Sequence, residues 1–119
     1  SACLVGLEMC IRDRGQGALA VQGRRGDSEL MDALRSIDRA EVRFAVELER
    51  EVLRATGGTC RAPVGALAEA REEEFSLLVG GVNSDGSERK IVRLRGSRVD
   101  AARMAAEAGR RLVAEVALR

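Results

Sequence analysis

At 119 residues, with 45% hydrophobic and 33% charged side chains, the chain is long enough for one soluble domain with a substantial core and needs no disulfides to fold. Its 20 basic and 19 acidic residues nearly cancel, and two Phe stand without any Tyr or Trp; both facts argue against the charge footprint and stacking platforms of nucleic-acid binders. The absence of histidine excludes a Ser-His-Asp triad, a Cys-His pair and any His-bearing metal site built from this chain alone, so no metal site is expected.

Residues 1–14, Ser-Ala-Cys-Leu-Val-Gly-Leu-Glu-Met-Cys-Ile-Arg-Asp-Arg, lack the charged n-region that precedes the apolar run of a signal peptide. They read poorly into the residues after them and resemble translated adapter sequence, so we expect them to be an artefact of sequence assembly. Cys3, Cys10 and Cys60 form no C-x-x-C pair; sparse, unpaired thiols suit a reducing compartment, and the cytoplasm is the expected location. Gly15-Gln16-Gly17 opens a short apolar run, Ala18–Val21, closed by Gly23-Arg24-Arg25-Gly26-Asp27, a pattern that predicts a strand between loops. Asp27 or Ser28 then caps a brief helix whose stripe is Leu30, Met31, Leu34 and Ile37.

Asp38 with Glu41 has the spacing of a capping box and predicts a second helix reaching about Ala55. Its core face would hold Val42, Ala45, Val46, Val52 and Leu53, with Glu49 in the same stripe. A carboxylate there needs a partner, either a cation or a backbone amide. Next comes Gly57-Gly58-Thr59-Cys60-Arg61-Ala62-Pro63, where glycines loosen the backbone and Pro63 stiffens the exit. Cys60 is therefore presented on a turn. Read alone, it is either a small packed hydrophobe or a ligand-bearing thiol; the helix end before it does not favour a thiolate.

Alternating segments at Val64–Arg71, Phe75–Val82 and Glu88–Arg95 are separated by Glu72-Glu73-Glu74 and by Asn83-Ser84-Asp85-Gly86-Ser87, which predicts an antiparallel three-stranded meander. The apolar stretch Leu77–Val82 is far too short to cross a bilayer, and no membrane association is expected. Ser97 with Asp100 suggests a further cap, ahead of Ala101, Met104, Ala105, Ala108, Leu112 and Val116 at helical spacing. The fold class is α+β, a three-stranded antiparallel sheet covered by helices and preceded by a strand and a short helix.

Several of these motifs occur together in one known family. Glu49-Arg50, Val52-Leu53, Gly58-Thr59-Cys60, Pro63-Val64 and Gly65-Ala66 resemble the cofactor-attachment signature of the porphobilinogen deaminases, or hydroxymethylbilane synthases. Gly15–Val21 with Arg24 resembles that family's Gly-Gln-Gly-Ala strand and its arginine, and Val79-Gly80-Gly81-Val82 before Asp85-Gly86 resembles its third-domain hairpin. The likeness runs over residues 15–119. Thr59 stands where a smaller residue is usual, and Thr56 replaces an apolar one.

The resemblance implies the C-terminal part of a three-domain transferase of tetrapyrrole (heme) biosynthesis. Residues 15–37 would be a strand and helix remnant of the preceding α/β domain, and residues 38–119 the cofactor-carrying domain. It implies a dipyrromethane cofactor joined to Cys60 by a thioether, with Gly58 and Thr59 forming the turn that presents it and Arg24 contacting pyrrole carboxylates. Porphobilinogen units would be condensed on this primer into hydroxymethylbilane, with loss of ammonia. The family's catalytic aspartate lies in the earlier domains, so no catalytic residue is expected in this chain, which alone would be inactive; the parent enzyme would be a monomer. Two other classes remain open: a non-enzymatic α+β interaction module with a structural cysteine, and thiol redox, which the lack of a nearby resolving cysteine disfavours.

Overall fold

A computed structural model of the chain describes residues 15, 17–57, 63–83 and 85–116. Helix α1 (Ser28–Ile37) begins where its cap predicts, with the Asp27 carboxylate accepting the Leu30 amide at 3.0 Å. Helix α2 (Ala40–Ala55) starts one residue later than the Asp38/Glu41 pattern suggests. Asp38 instead closes α1, and its carboxylate accepts the Arg43 guanidinium, so Arg39 holds the N-cap of α2 without a side-chain bond.

The strand expected at Ala18–Val21 is not formed. An extended segment needs a neighbour for its N–H and C=O groups, and the three described strands pair only with one another. Leu19 and Val21 are accordingly 97% and 63% exposed, and α1 buries none of its residues.

The meander is present as predicted, with strands β1 (Val64–Arg71), β2 (Glu74–Val82) and β3 (Arg89–Ser97) antiparallel in the order β1-β2-β3. Glu72 takes a φ of 40° in the two-residue turn between β1 and β2. The register puts Ala68 opposite Leu77 and Leu77 opposite Leu94. Because side chains alternate across the pleat, Val64, Ala66, Ala68, Phe75, Leu77 and Val79 share one face, and all are buried. The turn after β2 is built from its own side chains: Asn83 bonds Ser87 and the Glu88 amide, and Asp85 accepts the Ser87 amide at 2.8 Å.

Helix α3 (Ala101–Glu115) follows a 3-10 turn at Arg98–Asp100, where the Ser97 hydroxyl accepts the Val99 amide. It lays Ala101, Ala105, Ala108 and Leu112 against the sheet and α2. Leu112 is fully buried, worth about 1.5–3 kcal/mol on its own. On α2 the core stripe is Ala45, Leu48, Glu49 and Val52. Val42, expected inside, is 48% exposed in the first turn, and Leu48, not singled out by its spacing, takes the central place. The two helices meet closely because Gly109 has no Cβ: one built there would lie 2.6 Å from the Val52 carbonyl oxygen.

Candidate functional site

The connection between α2 and β1 is the place the sequence marks for chemistry. Gly58, Thr59, Cys60 and Arg61 lie outside the described residues; what the structure shows is how both flanks of the turn are held. At the helix end, the Thr56 hydroxyl donates to the Leu53 carbonyl at 2.7 Å, and the Thr56 amide reaches back to Val52 and Leu53. Gly57 then takes a φ of 62°, its amide donating to the Arg54 carbonyl at 3.0 Å. This is the left-handed helix stop that glycine favours. At the far end, the Pro63 carbonyl accepts the Val82 amide at 3.1 Å, so the turn is tied to the sheet one residue before β1 begins.

Glu49 sits two turns of α2 before this connection and is only 6% exposed. The sequence left its partner open between a cation and an amide, and the structure supplies two amides. Oε1 accepts the Ala68 N–H of β1 at 2.9 Å, and Oε2 accepts the N–H of Gly15. Ala68 is on the outer edge of the sheet, where its N–H has no strand to pair with, so the carboxylate satisfies a donor that burial would otherwise leave costly. Charge-assisted bonds of this kind offset the desolvation of the carboxylate.

Arg24, the expected carboxylate contact, lies on the exposed turn between residues 18–23 and α1, and no ion pair engages its guanidinium among the described residues. Among the described residues, Arg35, Arg43, Arg54, Arg71, Arg103 and Arg111 are taken up in surface pairs, such as Arg54 with Glu51 at 2.7 Å and Arg103 with Asp100 at 3.0 Å. Arg98 lies 4.3 Å from the centre of the Phe44 ring and donates to the Glu72 carbonyl, fastening the β1–β2 turn to α2.

The face of the sheet away from the helices is the surface through which an interaction module would bind a partner, but the sequence singled out none of its residues. There Leu67, Glu69, Ser76, Leu78, Arg93 and Arg95 line a shallow cleft of about 240 Å³; the period-two spacing of Arg93 and Arg95 was the available signal. Among the described residues no three His, Cys, Asp or Glu side chains are grouped to hold a metal ion, and no helix is long and apolar enough to cross a membrane.

Comparison with known proteins adds an independent line. The family model described as Porphobilinogen deaminase, C-terminal domain, matches residues 43–117. Among curated relatives, the chain is 42% identical over 80 residues to the porphobilinogen deaminase of Desulforudis audaxviator, covering 67% of this chain and 26% of that protein. It is 44% identical over 110 residues to that of Nocardia farcinica, covering 85% of this chain and 31% of the relative, a span that continues upstream of the matched domain. The porphobilinogen deaminase of Listeria monocytogenes is 40% identical over 82 residues, covering 67% of this chain and 26% of its own length. The chain thus spans about a quarter to a third of the length of these relatives.

Proposed function

Because this chain belongs to the porphobilinogen deaminase family, as its C-terminal domain, we propose that it is the cofactor-bearing part of a transferase that condenses porphobilinogen units into hydroxymethylbilane. The observation that carries the reading is the Cys60 turn itself, whose flanks are fixed by Gly57 and Pro63 within a stretch that the family match covers. Residues 38–119 form the cofactor-carrying domain. Residues 15–37 belong with the preceding domain, a reading supported by an α1 that buries nothing against this one.

The donor set fits a covalent pyrrole primer. Cys60 is the sole thiol after residue 14, so no neighbouring cysteine along residues 15–119 competes for it by disulfide formation. Its sulfur gives up a proton and forms one C–S bond to the electrophilic methylene-pyrrole carbon left when an aminomethyl group departs as ammonia, a thioether stable enough to outlast successive cycles. Gly58 and Thr59, which precede it in the sequence, belong to the same attachment motif. Bound there, a dipyrromethane would supply the terminal pyrrole carbon on which units are added, each addition forming one C–C bond and releasing one ammonia from the incoming aminomethyl group. Arg24, exposed and without an ion pair among the described residues, offers a planar fork to the carboxylates that every pyrrole brings.

By its likeness to the family, the proton transfers fall to an aspartate of the preceding domains, outside this chain. The parent protein acts as a cytoplasmic monomer, a location that sparse, unpaired thiols support. Incubation with porphobilinogen tests the division of labour. The full-length protein should release ammonia and bilane steadily, and the isolated chain should not. Steady turnover by the isolated chain, or none by the full-length protein, would contradict it.

A further inference from the structure

We propose that Glu49 is a positioning residue for this reaction, a two-armed clasp that ties the chain arriving from upstream to both elements flanking the Cys60 turn. The inference rests on the functional reading above. Its structural basis is independent of it. Glu49 is carried by α2, which leads into the turn; Oε1 holds Ala68 on β1, which leads out of it; and Oε2 holds Gly15, at the head of the upstream segment.

Little else described anchors that segment. Gly15 also lies beside Val46, and the Ala18 amide bonds back to the Gly15 carbonyl at 3.0 Å. Beyond that point residues 18–23 take no regular structure, Leu19 and Val21 are exposed, and α1 buries no residue. A displacement of the upstream chain is therefore felt at Gly15, passes to one carboxylate, and reaches α2 and β1 together.

The chemistry of the side chain matters more than its volume. A carboxylate has two oxygens that accept, which two facing N–H donors require, whereas an amide of the same shape has one acceptor and sets its own NH2 against the second donor. A residue needed only to fill the core at this depth would be apolar. One needed only to cap the β1 edge would use a single oxygen. The second oxygen, spent on Gly15, is the feature that demands an explanation, and holding the primer turn at a fixed distance from the preceding domain provides one, because misplacement by about 1 Å can cost on the order of a hundredfold in rate.

The test uses the full-length protein with Glu49→Gln, which keeps the shape and loses one acceptor, and Glu49→Asp, which keeps the charge and shortens the reach. Three quantities are read well below the melting temperature: primer occupancy of Cys60 by intact mass, turnover per primed molecule, and amide exchange at Gly15 and along β1. In Glu49→Gln the Gly15 amide should exchange at least about tenfold faster while the β1–β2 ladder stays protected. Turnover per primed molecule should fall about tenfold, with the KM for porphobilinogen within about twofold of wild type. If Glu49→Gln does not fold, Glu49→Asp should show the same pattern. Unchanged turnover per primed molecule in a variant that has lost Gly15 protection would overturn this proposal alone. A wild-type protein with no adduct on Cys60 would overturn the functional reading and this proposal with it.

Discussion

Replacing Gly109 by Ala tests how the platform beneath the site is built. An Ala Cβ at this position would lie 2.6 Å from the Val52 carbonyl oxygen and 2.9 Å from the Ala55 Cβ, where ordinary contact begins near 3.4 Å. The obstacle is backbone inside α2, so no side-chain rotation relieves it, and α3 must withdraw from the helix that carries Glu49 and leads to the Cys60 turn. Overpacking of this kind costs about 1–3 kcal/mol. Against it stands the helix propensity of Ala over Gly, about 1 kcal/mol in favour of the substitution. A net loss of about 1 kcal/mol lowers the melting temperature by roughly 4–8 °C for a domain of this size. Thermal unfolding of the chain, followed by far-UV circular dichroism, measures it. A helical glycine under no packing constraint gives a gain on the same substitution, so a higher melting temperature for Gly109→Ala would refute the close contact between α2 and α3.

Leu112 is fully buried and packs over Gly81, where a built Cβ would lie 2.8 Å from its Cδ2; Leu112→Ala should cost about 2–5 kcal/mol in urea unfolding, and a loss below about 1 kcal/mol would show that α3 does not seat there. The Ser87 hydroxyl, followed by its amide, holds the Asp85 carboxyl below its ordinary 3.8. Because that value is depressed in the folded state, the bonds support the fold above the unfolded-state titration and are lost as pH falls through the folded value. In Ser87→Ala the Asp85 titration followed by NMR should move up, and an unmoved titration would remove Ser87 as the cause.

Much of the domain was legible because its signals are local. Alternation in Val64–Arg71 and Phe75–Val82, joined by the polar Glu72-Glu73-Glu74 turn, gives two strands that are each other's partner, and the Asn83–Ser87 loop is held by its own side chains. The Asp27 cap and the Ala101 to Leu112 stripe are of the same kind. Features that depend on partners were not legible. Ala18–Val21 has strand composition, yet no neighbouring strand is described for it, and propensity alone does not make a ladder. Asp38 has cap chemistry, but Arg43 competes for its carboxylate. The role of Gly109 appears only when α3 meets α2.

At the site, the position of Glu49 in an apolar stripe correctly signalled a carboxylate in need of partners. That one of them is Gly15, 34 residues upstream, is a tertiary fact with no sequence period to announce it. The glycine and proline of the Cys60 turn were readable as punctuation, and the structure gives them their anchors at Arg54 and Val82. Both arginines of the open sheet face were visible at period two, but the cleft they line depends on the register that sets Leu67 beside Leu78 and Leu78 beside Arg93.

The most direct test of the proposal that Cys60 carries the growing pyrrole chain is the intact mass of the full-length protein, with peptide mapping of the thiol. The account predicts an adduct of dipyrromethane size on Cys60, absent from Cys60→Ser together with turnover. An unmodified Cys60 in a protein that still turns over porphobilinogen would contradict it.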